Sequence, residues 1–170
     1  AELAWVSHRF DGDLGAAFGH MNQALVNSVQ DTEVLADAAV LLLQTGQLDL
    51  AVRTLDFCIR RAPTDPRLRF NLGVAYKYAD KLDLARKQFD YLKAEYPDYA
   101  GVDQQRAEVH LLSGRADAAI AIWETMDGYN RLKGLAIAHY VLGDIKASAT
   151  LTEQLVRDWQ DKWPSTIADV

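Results

Sequence analysis

Four histidines are the residues of this sequence whose side chains most invite a chemical role, because imidazole is a common metal ligand. Three of them, His8, His110 and His139, occupy one equivalent position of a repeating pattern described below. Equivalent positions on neighbouring helix pairs lie roughly a helix contact of about 8–10 Å apart, whereas ligands that share a metal each lie about 2 Å from it. We therefore expect aromatic side chains at the edge of the core and no metal site. His20 is expected to face solvent.

A single cysteine, Cys58, excludes an internal disulfide bond. Its place in a helical apolar stripe is typical of a buried, unreactive thiol. The sequence contains no glycine-rich phosphate loop, no H-E-x-x-H and no G-x-S-x-G. Its carboxylates are spread along helix faces, without a sign of the fixed pair that a hydrolase needs. We therefore predict no catalytic site and no cofactor.

The overall charge bounds the class of partner. Eighteen Lys and Arg against 24 Asp and Glu give a formal net charge of −6, which argues against a general nucleic-acid binder. The longest uninterrupted apolar run, Ala38 to Leu43, is far shorter than the roughly 20 residues of a membrane-spanning helix. Charged residues interrupt the N-terminal stretch, so it does not resemble a signal peptide. We expect no membrane insertion, and the cytoplasm is the favoured compartment.

A period of 34 residues organises the positions of glycine, alanine and proline. Related segments begin at Gly12, Gly46, Asp80 and Gly114, and a fifth begins at Gly143 after only 29 residues, as expected if one connection is shorter. Apolar residues in 31–44 and 48–61 follow helical spacing, and Asp65 is expected to cap the next helix. Sustained strand-like alternation is absent from the sequence. It therefore predicts an all-α fold with two helices in each period.

Small residues recur at one position of each helix. Antiparallel helices in contact lie about 8–10 Å apart, and the closest approach requires a small side chain at the crossing. The slot on the first helices holds Ala39, Gly73, Ala107 and Ala136, and the slot on the second helices holds Ala17, Ala51, Ala85, Ala119 and Ser148. Larger residues such as Phe89 and Trp123 are expected to fill the core. One helix pair cannot bury both of its faces, so the pairs are expected to stack.

These features resemble the tetratricopeptide repeat, a 34-residue helix–turn–helix unit. The signature residues in this sequence are Asn71, Leu72, Gly73, Tyr76, Ala85, Phe89 and Pro97, while Arg69 stands where the family favours tryptophan. The resemblance covers essentially the whole chain. It implies a single domain over 1–170, an all-α right-handed α-α superhelix (a solenoid) of about five repeats. The approximate repeats are 1–31, 32–65, 66–99, 100–128 and 129–163, with 164–170 starting a further helix.

The C-terminal third resembles repeat tails of bacterial signalling and regulatory proteins. The resemblance rests on the run from Met126 through Arg131 and Leu142 to Asp144. In those proteins the tail follows a catalytic or DNA-binding domain and continues for further repeats. We therefore expect this chain to be a segment of a longer bacterial protein.

In this family the first helix of each repeat lines the concave side, where peptides or partner helices bind. The register of the repeats places a candidate partner-binding surface on the first helices, comprising Val40, Leu43, Gln44, Phe70, Asn71, Val74, Lys77, Gln104, Glu108, Leu111, Lys133, Ile137 and Tyr140. Asn71 falls where many members carry an asparagine that hydrogen-bonds a peptide backbone, although asparagine is also common there without a ligand. Apolar residues between isolated charges suit an amphipathic helix or an extended segment with apolar anchors.

The best-known specific use of the family is a basic clamp for the C-terminal carboxylate of chaperone tails. That clamp needs lysine and asparagine on one first helix, and lysine and arginine on a later one. The corresponding positions here hold Ala36 and Val40, followed by Gln104 and Glu108. We do not expect the clamp, because Glu108 would repel an anion and Ala36 cannot attract one.

Three functions remain open from the sequence. The leading interpretation is a non-catalytic module that binds a protein or peptide in the concave groove, with Phe70 and Tyr140 as anchors. The second is a self-association scaffold, a homodimer formed through the terminal repeats, whose apolar faces are exposed unless a capping helix covers them. The third is a regulatory or substrate-orienting repeat segment of a larger enzyme.

Overall fold

Eight α-helices joined by short turns form the part of the chain that the computed structural model describes, residues 31–159 together with Gly19 and Gln23. Their bounds are α1 Thr32–Gln44, α2 Leu48–Arg61, α3 Pro66–Tyr78, α4 Leu82–Glu95, α5 Val102–Leu112, α6 Ala116–Glu124, α7 Gly128–Val141 and α8 Ile145–Trp159. This part contains no strand, and the all-α prediction is confirmed. Apart from Gly19, Gln23 and Asp31, the predicted first repeat (1–31), with His8, Ala17 and His20, lies outside the described residues, as does 164–170.

Aspartates cap α1 and α3, and the sequence indicates the second of these caps. The Asp31 carboxylate accepts a hydrogen bond from the Glu33 backbone N–H at 2.9 Å. Asp65 accepts from the Arg67 N–H at 2.9 Å and is followed by a proline in the first turn of α3. Each cap satisfies a backbone donor that the helix itself leaves without a partner, so the predicted cap at Asp65 is confirmed.

The turn inside each helix pair has the same backbone geometry. One residue adopts a positive φ, which glycine adopts freely and aspartate tolerates; these residues are Gly46, Asp80, Gly114 and Gly143. The next backbone N–H then donates to a carbonyl in the last turn of the first helix, in the pairs Gln47–Leu42, Lys81–Tyr76, Arg115–His110 and Asp144–His139. This bond closes the helix C-terminus. His110 and His139 therefore lie at the ends of first helices, which is a structural position.

The chain divides into two compact units between Tyr99 and Ala100, a boundary that coincides with one predicted between repeats. In unit 1, α1 packs on α2, α2 on α3 and α3 on α4, and α1 also touches α3. In unit 2 the same scheme joins α5, α6, α7 and α8, with α5 also touching α7. Each unit thus contains two helix pairs whose first helices lie side by side.

The small-residue slots lie at the helix crossings. Among the described members, Ala39, Ala51, Ala85, Ala107 and Ala119 have no exposed surface. Gly73 shows why the slot is narrow, because a Cβ built on it would lie 2.6 Å from the Phe89 ring. Buried aromatic and aliphatic side chains fill the space around these crossings, among them Leu55, Leu68, Phe89 and Trp123. The predicted core positions are confirmed in both units.

The shorter repeat comes from a shorter helix. α2 and α4 each have 14 residues, whereas α6 has 9. The connection after α6 spans 125–127, close in length to the connection 62–65 that follows α2. α6 stops where the Thr125 hydroxyl donates to the Ile122 carbonyl at 2.8 Å and the Met126 N–H donates to the Trp123 carbonyl at 3.1 Å. The missing residues thus fall in the helix, and the expected shortening of the connection is corrected.

Candidate functional site: a groove in each unit

Unit 1 has a groove between its two first helices, α1 and α3, which we call groove 1. It consists of two adjoining cavities of about 520 Å³ and 330 Å³ that share Val40, Phe70 and Asn71. The larger cavity is also lined by Leu43, Gln44, Gly46, Leu48, Val74 and Tyr78, and the smaller by Ala36, Asp37, Arg67 and Tyr99. The groove therefore runs from the N-terminal to the C-terminal ends of these helices.

Apolar side chains form the middle of groove 1. Val40 of α1 and Val74 of α3 are both half-buried. Phe70 lies about one helical turn before Val74 on α3, and its ring is held by an edge contact with Phe89 at 5.8 Å between centroids and by Tyr99 at 5.5 Å. A surface of this kind, apolar and already formed, suits the apolar side chain of a bound segment.

Asn71 places an amide in the middle of the same groove, where it lines both cavities. Within the described part of the chain no hydrogen bond engages this side chain. An amide offers both donors and an acceptor. It is therefore available to pair with the backbone of a bound peptide.

The N-terminal end of groove 1 carries charge. The Arg67 guanidinium donates to both carboxylate oxygens of Asp65, at 3.2 Å from Nε and 2.9 Å from Nη2. Burial would raise the pKa of the Asp65 carboxyl, but the hydrogen bonds from the Arg67 side chain and backbone outweigh it and hold the pKa below its ordinary value. Glu33 lies 3.9 Å from Arg67, and Asp37 stands on the groove wall. One cation thus faces three carboxylates here.

Unit 2 has a smaller groove of about 210 Å³ between α5 and α7, which we call groove 2. It is lined by Gln104, Glu108, Leu111, Leu112, Trp123, Lys133, Gly134 and Ile137. Gln104 accepts a hydrogen bond from the Trp123 indole N–H at 2.9 Å and donates to Glu108 at 2.8 Å. Hydrogen bonds from the buried Trp123 indole to Gln104, and from Gln104 to Glu108, therefore form the floor of groove 2. The acidic Glu108 and the basic Lys133 lie at its rim.

The structure brings most of the predicted surface residues together. Groove 1 contains Val40, Gln44, Phe70, Asn71 and Val74, and groove 2 contains Gln104, Glu108, Lys133 and Ile137. Lys77 and Tyr140 line neither groove. Both occupy the same repeat position as Leu43. Leu43 belongs to α1 and lines groove 1 from the side opposite α3. The same repeat position therefore faces the groove on the first of the two helices that flank it, and faces away from the groove on the second. The sequence register alone does not show this difference.

Several groove residues were not predicted from the sequence, namely Asp37, Arg67, Tyr78, Tyr99, Trp123 and Gly134. Asp37 and Gly134 were recoverable, because they occupy the repeat slot of Asn71. Tyr99 was not, because it follows α4 in a connection whose path no periodic pattern describes.

Among the described residues, those that invited chemical roles occupy structural positions. Cys58 is fully buried, and burial raises the pKa of its thiol against a smaller opposing effect of Arg61. The His139 ring lies 3.6 Å from the Asp144 carboxylate, which also accepts from the Ala147 N–H at the start of α8. In the described part of the chain, no three histidine, cysteine, aspartate or glutamate side chains lie together as a metal site would require. No helix described there is long and apolar enough to cross a bilayer.

Several solved structures are similar to this chain over most of its length. The chain is similar to MamA, with 18% identity and a TM-score of 0.69 over 91% of this chain and 94% of that one. It is also similar to a thermophilic tetratricopeptide repeat protein of Thermus thermophilus, with 22% identity and a TM-score of 0.73 over 86% and 83% of the two chains. PilW, a type IV pilus biogenesis factor, is 16% identical with a TM-score of 0.79 over 93% and 76%. Neither a protein-family model nor a curated protein matches the sequence. The paired helices, their small-residue crossings and these likenesses show that the chain has the tetratricopeptide repeat fold.

Proposed function

We propose that this chain is a non-catalytic interaction module that binds a peptide or a partner helix in groove 1. The observation that carries the proposal is the preformed apolar middle of the groove, where Val40, Phe70 and Val74 surround the available amide of Asn71. A bound segment would place one apolar side chain among the first three and pair its backbone with the amide. Because the net charge is −6, we propose a protein rather than a nucleic acid as the partner.

The rigidity of the groove supports this proposal. Phe70 is fixed by two aromatic neighbours, and both helices of the groove rest on the buried core of unit 1. A surface that is already ordered loses little conformational entropy on binding. Affinity would then come from a few anchors rather than from the whole contact area.

The experiment that tests this proposal uses Val40→Glu, because Val40 lines both cavities and lies outside the buried cluster. Random peptides displayed on phage are selected on the full chain, and the affinities of the enriched peptides are measured by fluorescence anisotropy. A carboxylate placed against an apolar anchor should weaken binding more than tenfold. Leu84→Glu, on the exposed part of α4, makes the same change away from the groove and should leave affinity unchanged. Equal affinities for wild type and Val40→Glu would remove groove 1 as the binding site.

Phe70→Ala, the variant that sequence reasoning favours, is less informative. Its ring contacts both Phe89 and Tyr99, so truncation would loosen unit 1 as well as the groove. Tyr140, the second predicted anchor, is 66% exposed and lines neither groove. A loss of binding in Phe70→Ala combined with Tyr140→Ala would therefore not separate groove contact from stability.

A second candidate function, self-association, is favoured by an apolar patch at the turn between α7 and α8. Tyr140, Val141, Leu142 and Ile145 are consecutive or nearly so, and each is more than half exposed. Contiguous exposed apolar residues on a terminal helix pair are typical of a surface that another molecule covers. Static light scattering at several concentrations should show a mass that rises for the wild type and stays at the monomer value for Val141→Lys combined with Ile145→Lys. A wild-type mass that stays at the monomer value at every concentration excludes this candidate.

A further inference from the structure

We infer that the segment bound in groove 1 carries a lysine or arginine beside its apolar anchor, and that Asp37 and Tyr99 receive this basic side chain. The inference rests on the proposed function, because it names the chemistry of the partner in the same groove. It concerns the smaller cavity, which Asp37, Arg67 and Tyr99 line together with the shared residues Val40 and Phe70.

Among the described residues, the charges at this end of the groove do not balance. Glu33, Asp37 and Asp65 surround the single guanidinium of Arg67, and all three contribute to raising the pKa of that group. Asp65 makes the closest contact with the Arg67 guanidinium, through both of its carboxylate oxygens. The Glu33 carboxylate lies 3.9 Å from the same guanidinium. One cation therefore compensates one carboxylate, and the remaining negative charges are open to a positive group from outside. An acidic ligand would meet repulsion at the same place.

Of these three carboxylates, Asp37 is the one that neither caps a helix nor lies in the first turn of a helix. Asp65 caps α3, and Glu33 lies in the first turn of α1, where negative charge stabilises a helix N-terminus. Asp37 lies in the second turn of α1, beyond the reach of that effect, and is half-buried on the groove wall. Among residues 31–159 it forms no hydrogen bond or close ion pair. A half-buried carboxylate without a close cation is a favourable position for an incoming ammonium or guanidinium.

Tyr99 adds an aromatic surface to the same cavity. Its ring contacts Phe70 and is held at the groove end. Aromatic faces attract lysine and arginine, and the attraction adds to that of a nearby carboxylate. The aliphatic stem of a long basic side chain also packs well against such a ring. An aspartate together with a tyrosine thus selects a long cationic side chain over a small polar one.

The spacing along α1 sets where the basic residue falls in the partner. Asp37 and Val40 are three residues apart, about one helical turn, or roughly 4.5 Å along the axis at about 1.5 Å per residue. An extended ligand rises about 3.3 Å per residue, so the basic residue should lie one or two positions from the apolar anchor. In a helical ligand it should lie three or four positions away.

Groove 2 provides an internal contrast. Its acidic residue Glu108 accepts from Gln104, and the basic residue Lys133 lies at the same rim. No excess of negative charge faces that cavity among its lining residues. The preference for a basic residue is therefore inferred for groove 1 alone.

The test extends the phage selection on the full chain to the sequences of the enriched peptides and to their charge. Peptides that depend on Val40 should contain lysine or arginine at the spacing given above. For one such peptide, Asp37→Asn should weaken binding about three- to fivefold, as expected for a partly exposed ion pair, and Asp37→Lys should weaken it more than tenfold. Asp83→Asn removes the same charge from an exposed site on α4 and should have no effect.

A change in the peptide keeps the test independent of the folding of any variant. Replacing the basic residue of the peptide by norleucine should cost at least three- to fivefold on the wild type, and less on Asp37→Asn, where only the attraction of Tyr99 remains to be lost. Peptides that need Val40 but lack a basic residue, or whose affinity ignores Asp37, would overturn this inference and leave the proposed function intact. If no enriched peptide depends on Val40, the proposed function fails, and the inference fails with it.

Discussion

Gly134→Ala is the substitution on which the structure makes its sharpest prediction. A Cβ at this position would lie 2.2 Å from Cε2 of Trp123 and 2.4 Å from both Cδ2 and Nε1. These atoms belong to a rigid ring, which is 1% exposed and whose N–H donates to Gln104 at 2.9 Å. The ring cannot rotate away without breaking that bond. The methyl group must therefore push α7 away from α6 or displace the indole.

The magnitude follows from three contributions. Overpacking of a well-packed core costs about 1–3 kcal/mol, and the upper half applies because three ring atoms lie in the way. Weakening the indole hydrogen bond adds about 1 kcal/mol. Alanine gains about 1 kcal/mol over glycine inside a helix. The expected net loss in the free energy of unfolding of unit 2 is thus about 2–3 kcal/mol by these values.

Urea unfolding, followed by far-UV circular dichroism and by tryptophan fluorescence, measures this loss. Ala121→Gly, on the exposed face of α6, calibrates the helix-propensity contribution and should cost about 1 kcal/mol. Trp123→Leu introduces the residue type found at the equivalent Leu55 and should make Gly134→Ala much less harmful, with a coupling free energy above about 1 kcal/mol. If Gly134→Ala instead stabilises the protein by the amount that Ala121→Gly loses, the close approach of α6 and α7 is wrong.

Three further predictions concern single residues. Asp65→Ala should lower the free energy of unfolding by about 1 kcal/mol at neutral pH, because the helix cap is lost. The folded state depresses the pKa of Asp65, so the stability difference between wild type and variant should persist above the unfolded pKa near 3.8 and shrink as the pH falls below it. Urea unfolding at a series of acidic pH values measures this difference. Cys58 should react with iodoacetamide at least tenfold more slowly in the native state than in urea, because the thiol is fully buried and its pKa is raised; mass spectrometry gives both rates, and equal rates would contradict the burial. Ala85→Leu should cost about 1–3 kcal/mol in thermal unfolding because its slot is filled, whereas Ala121→Leu on an exposed surface should change little.

The core of each unit could be predicted from the sequence because one physical requirement recurs in every repeat. Two helices that cross closely need a small residue at the crossing, so Ala51, Ala85 and Ala119 mark the period directly and are fully buried. The turn residues recur for a similar reason, since each pair reverses direction through one positive φ angle. Where the constraint is the same in each copy, comparison within the chain replaces comparison among relatives.

The groove was harder to predict because its members depend on which side of a helix faces it. Leu43 lines groove 1 from α1, whereas Lys77 occupies the same slot on α3 and does not. Gly134 contacts the indole of the preceding helix, a relation between neighbouring pairs that the signature of one repeat does not contain. The charge pairing in the groove was harder still to predict. Nothing in the sequence indicates that Arg67 pairs with Asp65 while Asp37 faces the cavity without a close ion pair.

The two kinds of position explain how one scaffold supports different surfaces. The crossing slots tolerate little change, as Gly73 shows, because a larger side chain there would meet the ring of Phe89. Two of the groove slots carry no such restriction: one holds Ala36, Phe70, Gln104 and Lys133 in successive repeats, and the other holds Val40, Val74, Glu108 and Ile137. The same register thus yields an apolar groove with an acidic end in unit 1 and a polar, charge-balanced one in unit 2. Under the proposed function, any difference in what the two grooves bind would come from these side chains, and exchanging them would alter partner choice without altering the fold.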